Sequence, residues 1–196
     1  MFFVFSTVFA QVKNTQMIQS LSSVKNIGYA QPNITPNMNA AAAAPFWTND
    51  FSNSNDWTMV DLIYGGLQNW VITSQGPQGS FSNAMGPIAS TTASNGFAMF
   101  DSDAVSTSYG SPQEAYIQYN GTVDCSMHPY VNINFESYYK KFQDSIFVEV
   151  SNDGINWDRY EVHSNLSANG TSANPEIVTI NISSPNTENL RDFHDQ

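Results

Sequence analysis

Polar and apolar side chains alternate through residues 131–139, with Val131, Ile133 and Phe135 on one side and Asn132, Asn134 and Glu136 on the other. A period of two marks a half-buried strand, because successive Cβ atoms point to opposite faces of a sheet. Residues 145–150 repeat the pattern, with Ile146, Val148 and Val150 opposite Phe147 and Glu149. Residues 177–182 set Val178, Ile180 and Ile182 against Thr179 and Asn181. Shorter runs at 47–51, 57–60, 70–73, 96–100, 114–119 and 158–163 predict further strands, separated by Gly, Asn, Asp, Ser and Pro clusters. Asn152-Asp153-Gly154 supplies the positive-φ residues of a tight hairpin, so 145–150 is expected to pair antiparallel with 158–163. No run of ten residues carries a helical period, which argues against an α/β architecture. The expectation is an all-β, two-sheet antiparallel sandwich.

Upstream the texture differs. Residues 1–10, MFFVFSTVFA, are apolar and end in Val8-Phe9-Ala10, which puts small or aliphatic residues where a signal peptidase reads. No Lys or Arg precedes the apolar run. The segment is read as a signal-peptide remnant, with an N-terminal strand as the alternative. It falls far short of the roughly 20 apolar residues of a membrane span. Residues 11–45 are rich in Asn, Gln, Ser, Pro and Ala and read as a disordered linker. Residues 46–183 then form the sandwich, and 184–196 an irregular tail.

Charge narrows the partners. Six Lys and Arg against 17 Asp and Glu give a net charge of -11, so the chain cannot assemble the basic face a nucleic acid requires. The balance fits an extracellular protein, or one that recruits cations. A single cysteine, Cys125, rules out an internal disulfide, and burial is its plainest reading.

Several phrases are more specific than generic β sequence: FWTNDF at 46–51, NWVI at 69–72, STTASNGFAMFDSD at 90–103, and FVEVSNDG at 147–154 followed by Trp157. Together they resemble the jelly-roll modules, similar to MAM and cleaved-adhesin domains, of secreted Bacteroidetes cell-surface proteins. The resemblance covers roughly 45–183 and is most specific at 90–103. It implies a jelly roll, export by a signal peptide and the type IX secretion system, and a module serving a larger parent. After Ile182 the family pattern would continue into further strands, whereas this chain reads SSPNTENLRDFHDQ. The chain is therefore read as a fragment whose sandwich is incomplete at its C-terminus, and a missing central strand would leave a ladder open to pairing.

Candidate chemistry is sparse. Asp101 and Asp103 follow a strand, and alternate carboxylates there can converge on a hard cation; the resemblance implies a structural calcium, while a plain polar turn is the alternative. Asp61 resembles an acidic position of the adhesin repeat, but Leu62-Ile63-Tyr64 replaces the carboxylates expected beside it, and it is not assigned as a ligand. Residues 151–157 resemble an Asp-box hairpin one residue short and read as structural, with Trp157 packing over the turn. Tyr138, Tyr139 and Phe142 are the best local cluster for stacking on a sugar, against sandwich packing as the alternative; consecutive tyrosines must face opposite ways. Cys125 and His128 have metal-like spacing but no second pair. Nucleophile elbow, Walker loop, His-Glu-x-x-His and glycosidase carboxylate patterns are all missing from the sequence. Asn-x-Ser/Thr triplets at Asn33, Asn120, Asn165, Asn169 and Asn181 reflect composition in a bacterial protein.

The expected function is a non-catalytic extracellular binding or adhesion module contacting a glycan, a surface protein or neighbouring domains of the parent. An accessory domain of a secreted peptidase or glycosidase and a structural spacer are the alternatives.

Overall fold

The computed structural model describes residues 2–11, 44–104, 113–128 and 130–183. The expected linker, from residue 12 to 43, and the tail at 184–196 lie outside the described residues. Among the described residues the fold is all-β and antiparallel, interrupted by short 3₁₀ turns. Its strands are β1 (Phe2–Gln11), β2 (Trp47–Asn49), β3 (Trp57–Asp61), β4 (Val71–Thr73), β5 (Phe97–Asp101), β6 (Ala115–Tyr119), β7 (Asn132–Ser137), β8 (Ile146–Val150), β9 (Asp158–Val162) and β10 (Glu176–Asn181). One sheet runs β10-β7-β1-β5-β4, with β2 also paired to β1; β3 pairs β6, and β8 pairs β9.

Every strand expected from the sequence between residues 47 and 182 is present. The β8–β9 hairpin forms in the expected sense, pairing Ile146 with Val162 through Val150 with Asp158. Its turn holds Gly154 at φ 72, and the Asp153 carboxylate accepts from the Ile155 and Asn156 amides.

All three sheets meet in one core. Ala98 and Phe100 of β5, Phe135 of β7 and Ile180 of β10 pack with Ile146 and Val162 of the hairpin, and Met59 and Ile117 of the β3–β6 pair close over them. Alternation along β5 sends Phe97 and Met99 the other way, into a smaller cluster with Ile88. β5 is therefore buried on both faces, which is why its sequence reads as continuous rather than alternating apolar residues.

The N-terminal segment takes part in strand pairing. Phe2–Gln11 is the strand between β5 and β7, pairing Phe2 with Asp101 and Gln11 with Asn132, with a register shift between Phe5 and Val8. A short run of β-branched and aromatic residues has the same composition in a leader's apolar region as in a doubly covered strand, so periodicity alone does not separate them.

Candidate functional site

The sequence-expected residues fall into two places. Asp101 closes β5 and shares the Phe97 and Met99 face; Asp103 lies two residues beyond. Their carboxylates come together over the 76–82 loop. Asp101 accepts from the Gln78 amide at 2.6 Å and the Gly79 amide at 3.0 Å. Asp103 accepts from the Phe81 amide and the Ser82 hydroxyl. Gly79 is required here, because a Cβ at that position would collide with the Asp103 carboxylate. Burial pushes the Asp101 carboxyl up, against the Gln78 amide that holds it down. Burial also opposes Asp103, but the Ser82 and Phe81 donors outweigh it and hold that carboxyl low, so an added proton goes to Asp101.

These donors bear on calcium. A calcium ion takes six to eight oxygens, roughly, at about 2.3–2.6 Å; in this pair each Oδ2 accepts from backbone N–H groups and each Oδ1 from the Ser82 hydroxyl. Among the described residues no cluster of three or more metal-ligating side chains forms. The pair therefore fixes the 76–82 loop through its amides and the Ser82 hydroxyl.

Asp61, at the end of β3, is a second clamp. It accepts from the amides of Ile63, Tyr64, Gly66 and Gln68 at 2.8–3.0 Å. Desolvation opposes the shift, but the four amides together, Tyr64 and Gln68 foremost, draw its pKa down to about 2. Three carboxylates thus organise two loops, and a cleft of about 260 Å³ opens between them. Leu67, Gln68, Val71, Gln78, Met99 and Asp101 line it. Leu67 and Val71 are exposed. Gln68 is only 2 % exposed, and neither its Nε2 nor its Oε1 finds a hydrogen-bond partner. A buried donor or acceptor left idle costs about 1–3 kcal/mol, so this amide is a liability for folding alone.

The aromatic cluster does not form a platform. Tyr139 is 0 % exposed, its hydroxyl donating to Asp144 and its ring stacked on His163, so it cannot meet a sugar ring. Tyr138 faces the opposite way, as strand geometry requires, and packs beside Ile88 with its hydroxyl 3.4 Å from the Met85 carbonyl. Phe142 alone is open, at 57 % exposure. The stacking expectation is corrected for Tyr139: a tyrosine two residues past Ser137 on the core-facing side fills the sandwich.

One constellation has no counterpart in the sequence reading. Ser137 of β7 lies opposite Glu176 of β10, and His163, just after β9, reaches between them. Ser137 Oγ is 2.8 Å from His163 Nε2, and His163 Nδ1 is 3.5 Å from the Glu176 carboxylate. A positive φ of 55 at His163 turns the chain so that its ring enters the core. Burial holds the imidazole pKa below its ordinary value, only partly offset by Glu176, so it is neutral at pH 7. Ser, His and a carboxylate in this order are the components of nucleophilic hydrolysis. Here Ser137 is 0 % exposed, so its hydroxyl does not face solvent. Three residues far apart in the sequence, two on strands and one just past a third, carry no local motif, and the β7–β10 register brings Ser137 and Glu176 together.

Cys125 and His128 belong to one turn, the His128 amide donating to the Cys125 carbonyl, and the imidazole stacks on Phe46 at 4.0 Å. Burial and Asp124 push the Cys125 thiol up, so it is a poor thiolate. No helix among the described residues is long and apolar enough to cross a membrane. Comparison with known proteins finds no match, whether to a family model, a curated protein or a solved structure.

Proposed function

We propose that the chain is a non-catalytic binding or adhesion module of a larger extracellular surface protein, with the jelly-roll plan of MAM-like and cleaved-adhesin-like modules. The cleft carries this reading. Two loops are fixed by carboxylates whose only visible work is to hold backbone in place, and between them lie exposed Leu67 and Val71 and an amide with nothing to bond. Preorganised loops around a concave, mainly apolar site with a few polar groups are what ligand recognition requires. Extracellular placement rests on the acid-rich, lysine-poor composition together with the sequence resemblance.

The test is to immobilise the full chain and probe a glycan array and a set of cell-surface proteins. Saturable capture that Leu67→Asp abolishes is the expected result. Silence on both, with hydrolytic activity traced to this chain, would overturn the reading. Calcium at Asp101 and Asp103 is the competing role for that pair and separates in the same preparation. If the carboxylates are clamps, Asp101→Ala with Asp103→Ala lowers the thermal midpoint equally with and without calcium. A calcium-dependent rise that the double variant loses would assign them to the ion, because a ligand held only by the native state stabilises it.

A further inference from the structure

β4 is the last strand of its sheet, paired only to β5 through Val71–Met99, Ile72–Ala98 and Thr73–Phe97. Among the described residues no strand covers its outer edge. Open edges are templates for another strand, and proteins that must keep them free usually place Lys, Pro or inward charges there. Here the edge is Val-Ile-Thr, and no charged side chain occurs anywhere between Asp61 and Asp101. The cleft lies at the start of this edge, on the Val71 and Met99 face. Opposite it, Ile72 is committed to the core, so β4 is anchored from below.

We propose that β4 and this cleft form a docking edge for an extended peptide segment of a partner protein, which adds as a further strand and seats an aliphatic side chain in the cleft. The proposal rests on the reading of the chain as a binding module and names the class of ligand. Three features select a peptide over a sugar. The six cleft residues named above include no aromatic ring for stacking, and Leu67, Val71 and Met99 suit an aliphatic group. Gln68 has one donor function and one acceptor idle, the complement of a peptide group, and turning into the cleft would satisfy both. Strand addition draws affinity from main-chain hydrogen bonds and specificity from pockets for alternate side chains. Charge completes the description: Asp101 is the acidic residue lining the cleft and the chain carries -11, so the ligand bears basic residues beside its aliphatic ones.

The experiment titrates the full isotope-labelled chain with a capped peptide of alternating leucine and lysine. Controls are the same peptide with glutamate for lysine, and one with central prolines, which cannot pair as a strand. One-to-one binding with amide shifts concentrated at residues 66–73, and no binding by either control, is expected. Gln68→Met, which removes the idle polar atoms at similar volume, is expected to raise the denaturation midpoint while weakening the peptide about fivefold or more. Val71→Lys, at an exposed position, should weaken binding and leave the fold intact. Equal binding by the proline control, unchanged affinity of Gln68→Met, or self-association of the chain through β4 in place of peptide binding would each overturn the proposal. A positive glycan array beside a silent peptide overturns it while leaving the module reading in place, whereas hydrolysis by this chain overturns both.

Discussion

Replacing Tyr139 with alanine is expected to destabilise the chain by about 3–5 kcal/mol, the range for removing a buried aromatic from a core. The ring is fully enclosed, stacked on His163 and packed in the cluster that joins the three sheets. Its amide donates to the Ser172 hydroxyl and its carbonyl accepts from the Ser172 amide, so the surroundings are fixed and cannot collapse into the space left. Tyr139→Phe isolates the hydroxyl and should cost about 1.5–3 kcal/mol, the net worth of a hydrogen bond to a charged group such as the Asp144 carboxylate. Phe142→Ala, three residues on but open to solvent, should fall within about 0.5 kcal/mol of the parent. Urea unfolding of the three variants checks the order. Small, similar effects for Tyr139→Ala and Phe142→Ala would mean that the tyrosine is not core.

Removing residues 1–11 is the second large effect. β1 makes four residue pairs with β5 and five with β7, and without it the sheet divides into β4–β5 and β7–β10. With about 0.5–1.5 kcal/mol net for each backbone hydrogen bond lost, the deletion removes several kcal/mol. Domains are stable by only about 5–15 kcal/mol. The truncated chain is expected to unfold without cooperativity or to associate through its uncovered edges. A truncated chain that melts as sharply and as late as the full one would contradict β1 and favour the leader reading.

The strands were legible because their side chains record their surroundings. β10 alternates cleanly because Val178 and Ile180 reach the core while Ile177 and Thr179 do not. β8 behaves likewise, with Phe147 outside under the Arg159 guanidinium. β1 was ambiguous because nothing in an apolar decamer says what covers it. For Tyr139 the sequence leaves stacking and packing both open, because tyrosine composition cannot report burial; the placement of Asp144 and His163 explains its enclosed hydroxyl and ring.

The site was less legible still. Asp101 and Asp103 were expected to converge and do, but the donors they meet come from the 76–82 loop, about twenty residues earlier, and no spacing rule connects the two. Gln68 carries no sequence signal at all. Its interest lies in being buried without a partner, which is visible only once the fold closes around it. Ser137, His163 and Glu176 depend in the same way on the pairing of Ser137 with Glu176.

That trio provides the sharpest measurement. Native full-length chain treated with a fluorophosphonate probe, which labels only a serine that is both activated and reachable, is expected to show no adduct at Ser137 by peptide mass mapping. A Ser137 adduct that His163→Asn prevents would show that the trio opens to solvent and works as a nucleophile, and the chain would have to be read as a hydrolase.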